Sequence, residues 1–218
     1  MLHYLQGLFS ALDFGSLLAA LVRAAAVLVC LAVHESCHGL AAWALGDPTA
    51  RRQHRLSLNP LRHIDWIGLL MMFAVGFGWA KPVPVDPRYF KNPKRGMALT
   101  ALAGPMSNFA LALLALVLLR VLMPFLPVAD WSLALLGFFL QTSQLSVGLG
   151  VFNLIPIPPL DGSKVLAAFL PDRQYYTLMH YERYGILVLL VLSFLNVGSI
   201  SIAWAVNTVW WAMYSLVF

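Results

Sequence analysis

Four long runs of apolar residues, 16–45, 97–123, 131–155 and 185–218, dominate this chain. About 20 such residues cross the hydrocarbon core of a bilayer as a helix. Helix is also the open-chain structure that satisfies every backbone polar group in lipid. Charge agrees with that solvent: 11% of the 218 residues are charged and 61% are apolar, whereas a water-soluble domain carries about 25% charged residues. The expectation is an all-α integral membrane protein, a bundle of about four to five transmembrane helices. It would form one membrane-embedded domain over residues 1–218, with its core in 16–162 and C-terminal membrane helices in 184–218.

Breaks in the runs refine this picture. The first run stops at Gly46-Asp47-Pro48, a helix-ending combination. It is longer than one crossing needs, so Arg23 inside it can snorkel to the outer interface. The last run would make a helix of about 50 Å, which exceeds a bilayer, so a break near Gly198 is expected. Residues 66–80 are apolar but short, and contain Gly68, Gly76 and Gly78. Lys81-Pro82-Val83-Pro84-Val85 follows and forbids helix. The expectation there is a re-entrant, glycine-rich, β-hairpin-like loop shielded by protein. Residues 1–15 read as an interfacial helix and 163–183 as a short amphipathic cytoplasmic segment. The N-terminus has no basic region or small-residue cleavage site, so no removable signal peptide is expected.

Nine of the fourteen Lys and Arg residues lie between Gly46 and Gly96. That clustering marks a cytoplasmic loop, which places the chain in the cell membrane as a multi-pass protein with loop 46–96 inside. Juxtamembrane charge beside membrane lipid accounts for the basic stretch, so no nucleic-acid partner is expected. Cys30 and Cys37 fall seven residues apart in one helix, too far apart to pair. They read as free thiols.

His34-Glu35-Ser36-Cys37-His38 lies inside the first apolar run. Residues four apart on a helix share one face, so the two imidazoles suit one tetrahedral zinc, with Glu35 beside them as general base. Zinc makes hydroxide available from water at neutral pH. Glu35 would take a proton from that water and later deliver it to the leaving amine. The pattern arises by chance in on the order of one percent of chains this long, and ionisable groups in an apolar helix point to function.

Two histidines leave a zinc site one protein ligand short. With the loop after the first run cytoplasmic, the third run must end on the same side. Pro156, Pro158 and Pro159 break it just before Asp161-Gly162, so the histidines and Asp161 converge at similar depth. Asp161 is the best third ligand on that ground; the alternative is a plain turn residue, since Asp-Gly is common turn chemistry. Asp47, Asp65, Asp86 and His63 are expected to be solvated in the basic loop, and His180 and Glu182 to lie at the surface.

Four ordered segments resemble the site-2 protease family of intramembrane zinc metalloproteases. They are His34-Glu35-Ser36-Cys37-His38-Gly39, the run from Gly76-Phe77-Gly78 to Lys81-Pro82-Val83-Pro84-Val85, Ala103-Gly104-Pro105-Met106-Ser107-Asn108, and Asn153-Leu154-Ile155-Pro156-Ile157-Pro158-Pro159-Leu160-Asp161-Gly162. The likeness implies Zn2+ held by His34, His38 and Asp161, with Glu35 as base. It implies a substrate or oxyanion role for Asn153, against which stands a structural amide at the broken helix. Asn108 reads as packing, with Gly104 allowing close helix approach. The resemblance implies a transmembrane protein substrate, such as an anti-sigma factor or a signal-peptide remnant, that must unwind before attack. Val83 and Val85 would border an edge for the extended segment.

The chain has no stretch long enough for a PDZ or nucleotide-sensing domain and resembles the compact subgroup, so a separate regulatory protein is an expected partner. Two other readings stand beside the protease. A membrane zinc transporter would place more ligands along several helices, yet residues 97–119 contain no ionisable side chain. A catalytically silent binding protein of the same fold would retain the site but not turn over.

Overall fold

The computed structural model describes residues 17–68, 70, 80–195 and 198–218. Its helices are α1 (Leu17–Ala44), the short α2 (Thr49–Arg52), α3 (Pro93–Leu122), α4 (Asp130–Asn153), α5 (Asp161–Ala167), α6 (Asp172–Tyr181), α7 (Gly185–Phe194) and α8 (Ser199–Val217). The described residues contain no strand. Among them α1, α3, α4 and α8 are long and apolar enough to cross a membrane.

Local chemistry sets the helix ends. At the end of α1, Gly46 takes φ +104°, a left-handed conformation that a residue without Cβ adopts freely. The turn then closes with Gly46 N–H donating to Trp43 O at 3.0 Å and Asp47 N–H to Ala42 O at 2.9 Å, the paired bonds of a Schellman motif. Asn92 caps α3 by accepting from the Arg95 amide at 3.1 Å, with Pro93 at the first helical position. After Asn153 the prolines of 156–159 prevent α4 from continuing, and α5 starts at Asp161. The expected break at Gly198 is present: α7 stops at Phe194 and α8 starts at Ser199.

The helices α1, α3 and α4 pack against one another, and α8 lies against α3 and α4. Leu116 and Leu119 of α3 meet Leu136, Leu140 and Val147 of α4 with Trp210 and Val217 of α8. In lipid no hydrophobic force drives this association, so close fit and buried hydrogen bonds hold it. Trp210 donates its ring N–H to Ser143 Oγ at 2.9 Å, and the Cys30 thiol lies 3.1 Å from Ser146 Oγ. Neither cysteine is in a disulfide. Outward positions carry large apolar side chains, among them Leu21, Leu114, Phe194 and Trp204, as a lipid-facing surface requires.

Two expectations about the loops need revision. Asp47 is 0% exposed and His63 1%; both are built into the fold, not solvated. Hydrogen bonds explain the burial: His63 Nε2 lies 2.7 Å from the Ser57 carbonyl, and the Asp47 carboxylate accepts from Thr49 and Asp86 amides. Of the anticipated re-entrant loop over 66–85, residues 69 and 71–79 fall outside the described residues, as does the interfacial helix at 1–15. Residues 80–86 have neither helix nor strand pairing, so the described part of that loop shows no hairpin.

Candidate metal centre

One turn of α1 separates His34 from His38, and their Nε2 atoms stand 3.0 Å apart with the rings at 89°. Asp161, the first residue of α5, brings Oδ2 to 3.2 Å from each Nε2. All three residues are buried, with exposures of 4%, 9% and 8%. Among the described residues this is the group of His, Cys, Asp and Glu side chains whose ligand atoms converge. The structure thus brings together residues from the first apolar run and from beyond the third.

Backbone geometry prepares the imidazoles. His38 Nδ1 sits 2.7 Å from the Thr100 carbonyl. A carbonyl only accepts, so Nδ1 carries the hydrogen and Nε2 of the neutral ring keeps its lone pair for a metal. Helix α3 passes close enough that a Cβ on Gly104 would lie 2.5 Å from His38 Nε2 and 2.7 Å from His34 Cε1. Only glycine fits there. On the other side, α5 lies against the end of α4, where the Gly162 backbone packs on the Leu154 carbonyl and fixes Asp161 beneath the histidines.

The residues fit zinc. Ligands about 2.0–2.1 Å from one tetrahedral ion stand roughly 3.3–3.4 Å from each other, close to the 3.0–3.2 Å found here. Three electron-rich atoms at such separations repel unless a cation or protons lie between them.

Glu35 stands beside this group, half-buried, and its Oε2 accepts from the Val83 amide at 3.0 Å. The Asn153 amide donates to the Leu149 carbonyl one turn back in α4 at 3.0 Å. Asn108 is fully buried one turn beyond Gly104, and neither atom of its carboxamide has a protein partner. Residue patterns missed the Thr100 carbonyl and the Val83 amide, because backbone groups carry no residue-type signal. They also missed Asp47, which as part of Gly46-Asp47-Pro48 reads only as a helix stop.

Residues 127–195 match the profile of peptidase family M50. The chain is 38% identical over 175 residues to the "Putative zinc metalloprotease YwhC" of Bacillus subtilis (strain 168), covering 79% of this chain and 80% of that protein. It is 33% identical over 171 residues to the "Putative zinc metalloprotease Rip2" of Mycobacterium tuberculosis (strain H37Rv), covering 76% of this chain and 63% of the relative. Rip2 of Mycolicibacterium smegmatis is 32% identical over 174 residues, with the same two shares. No solved structure matches the chain.

Proposed function

This chain belongs to peptidase family M50, and from that premise we propose that it is a multi-pass membrane zinc metalloendopeptidase of the site-2 protease kind. In this reading it cuts peptide bonds in or beside the transmembrane segments of other proteins. One observation carries the proposal: His34 Nε2, His38 Nε2 and Asp161 Oδ2 lie within 3.2 Å of one another, next to Glu35, at a buried site among apolar helices.

His34, His38 and Asp161 would hold the ion. Zinc bound there supplies a Lewis acid that polarises a peptide carbonyl and makes water nucleophilic at neutral pH. Glu35, next in sequence to His34, has the chemistry of a general base: it would take a proton from the attacking water and return it to the departing amine. Thr100 orients His38 through its carbonyl, and Gly104 leaves room for both rings. Residues 80–86 pass beside Glu35 without regular structure, and Val83 and Val85 would offer an edge to an unwound substrate segment. The basic loop 46–96 faces the cytoplasm by its charge, so cleavage falls near that side of the bilayer.

The test is made in cells. Chains with Glu35 or with Glu35→Gln are expressed at equal levels, and fragments of membrane proteins are compared. The proposal expects fragments with native ends only from the active chain, and intact substrate captured by Glu35→Gln. Identical fragment sets, with zinc bound in both proteins, would overturn it.

A further inference from the structure

A general base works only if its carboxylate is aimed, and Glu35 is aimed by a backbone amide from a segment with no regular structure. Residues 80–86 include Pro82 and Pro84, which have no N–H, so the segment cannot brace itself as helix or paired strand. Contacts with its surroundings hold it. At its start, Lys81 N–H donates to His63 O at 2.9 Å, and the Arg55 guanidinium donates to the Lys81 and Pro82 carbonyls at 2.8 and 3.2 Å. At its end, Asp86 N–H donates to Asp47 Oδ2 at 2.7 Å. Between these anchors Val83 meets Glu35, and its side chain lies over Gly39, one turn further along α1.

Asp47 is the buried anchor. A carboxylate taken out of water is costly unless donors surround it, and Asp47 has three: the Thr49 amide and hydroxyl on Oδ1 and the Asp86 amide on Oδ2. Its own backbone is tied to α1 by the turn at Gly46. Helix α1 therefore carries both Glu35 and the anchor of the segment that aims Glu35. Three residues, from Val83 to Asp86, span at most about 10 Å, and both ends of that span are pinned, one by Glu35 within α1 and the other by Asp47 just past its end.

We propose that Asp47 is a positioning residue for Glu35, acting through the Asp86 amide to keep the Val83 amide on the Glu35 carboxylate. This rests on the reading of Glu35 as the proton carrier. The bond to Val83 engages one carboxylate oxygen and leaves the other to accept a proton. Without Asp47 the segment keeps its Arg55 end and loses its Asp86 end. Glu35 then samples its other rotamers, while His34, His38 and Asp161 stay in place.

The purified full-length chain in detergent, with fluorescein-labelled β-casein as a general protease substrate, provides the test. Asp47→Ala should lower kcat on the order of ten- to a hundredfold with zinc content unchanged, whatever KM does as the loosened edge at Val85 meets substrate. Amide exchange at Val83 and Asp86 should become faster. In the Val83→Pro chain, which already lacks the donor, adding Asp47→Ala should cost less than about twofold more. Losses that multiply in full, unchanged exchange, or zinc lost together with kcat would overturn the proposal. Asp47→Asn keeps one acceptor oxygen where two are needed. It should shift exchange and kcat the same way by a smaller factor, and wild-type values there would also count against the role. A wild-type chain that cuts nothing would sink the protease reading instead. Exchange at Val83 in Glu35→Ala and Asp47→Ala would then still decide, and no acceleration would overturn the strap.

Discussion

His38 and Thr100 are joined by a 2.7 Å contact from imidazole Nδ1 to a backbone carbonyl, and that contact sets which nitrogen of His38 faces Asp161. Because the partner is main chain, it persists whatever side chain stands at position 100. The ligand geometry is thus written into the path of α3, and each expectation below follows from atoms held in that frame.

Glu35→Gln preserves size and the ability to accept the Val83 amide but cannot carry a proton. Turnover should fall by on the order of 10²–10⁴-fold, with zinc per chain unchanged by elemental analysis. A variant that still turns over at the wild-type rate would rule out proton transfer by this residue.

Asp161→Ala removes one of three ligand atoms and leaves two imidazoles facing a gap. Zinc content should drop sharply. A ligand that binds only the folded state stabilises it by about 2.7 kcal/mol at a hundredfold excess over Kd. Chelator should therefore lower the unfolding temperature of the wild-type chain and leave that of Asp161→Ala unmoved. Thermal scans with and without chelator check this.

Gly104→Ala places a methyl group 2.5 Å from His38 Nε2, inside any real contact distance. The two rings must move, so both zinc content and activity should be lost. Gly148→Ala is the control: a Cβ there meets nothing within 4 Å, and α4 should gain roughly 0.5–1 kcal/mol from the better helix former. Equal behaviour of the two variants would show that α3 does not press on the histidines.

Val85→Pro removes an N–H from the proposed substrate edge without touching the Val83 bond to Glu35. KM for an extended substrate should rise several-fold while zinc content holds. If KM stays where it was, residues 80–86 do not pair with substrate.

Much of this protein was legible from residue order. Helix ends at Gly46 and Gly198 and the proline break after Asn153 follow local rules, because φ preference and a missing N–H act within a few residues. The pairing of His34 with His38 is equally local. Asp161 required one further step, from loop charge to shared depth. The burial of Asp47 and His63 is not legible in residue order, because charge density in a loop says nothing of which polar groups find partners. Asn153 reads as a substrate group by resemblance or as a structural amide at the broken helix, and its amide bonds to Leu149.

The amino-acid order by itself determined a helical membrane chain with two imidazoles on one face and a carboxylate fit to join them, since hydropathy and helix period are properties of neighbours. Only the tertiary structure decided how those groups are aimed. The Thr100 carbonyl, the space at Gly104 and the strap from Asp47 through Asp86 to Val83 and Glu35 depend on main-chain atoms meeting across distant segments. Every residue carries the same amide and carbonyl, so where these meet is set by packing and not by residue type.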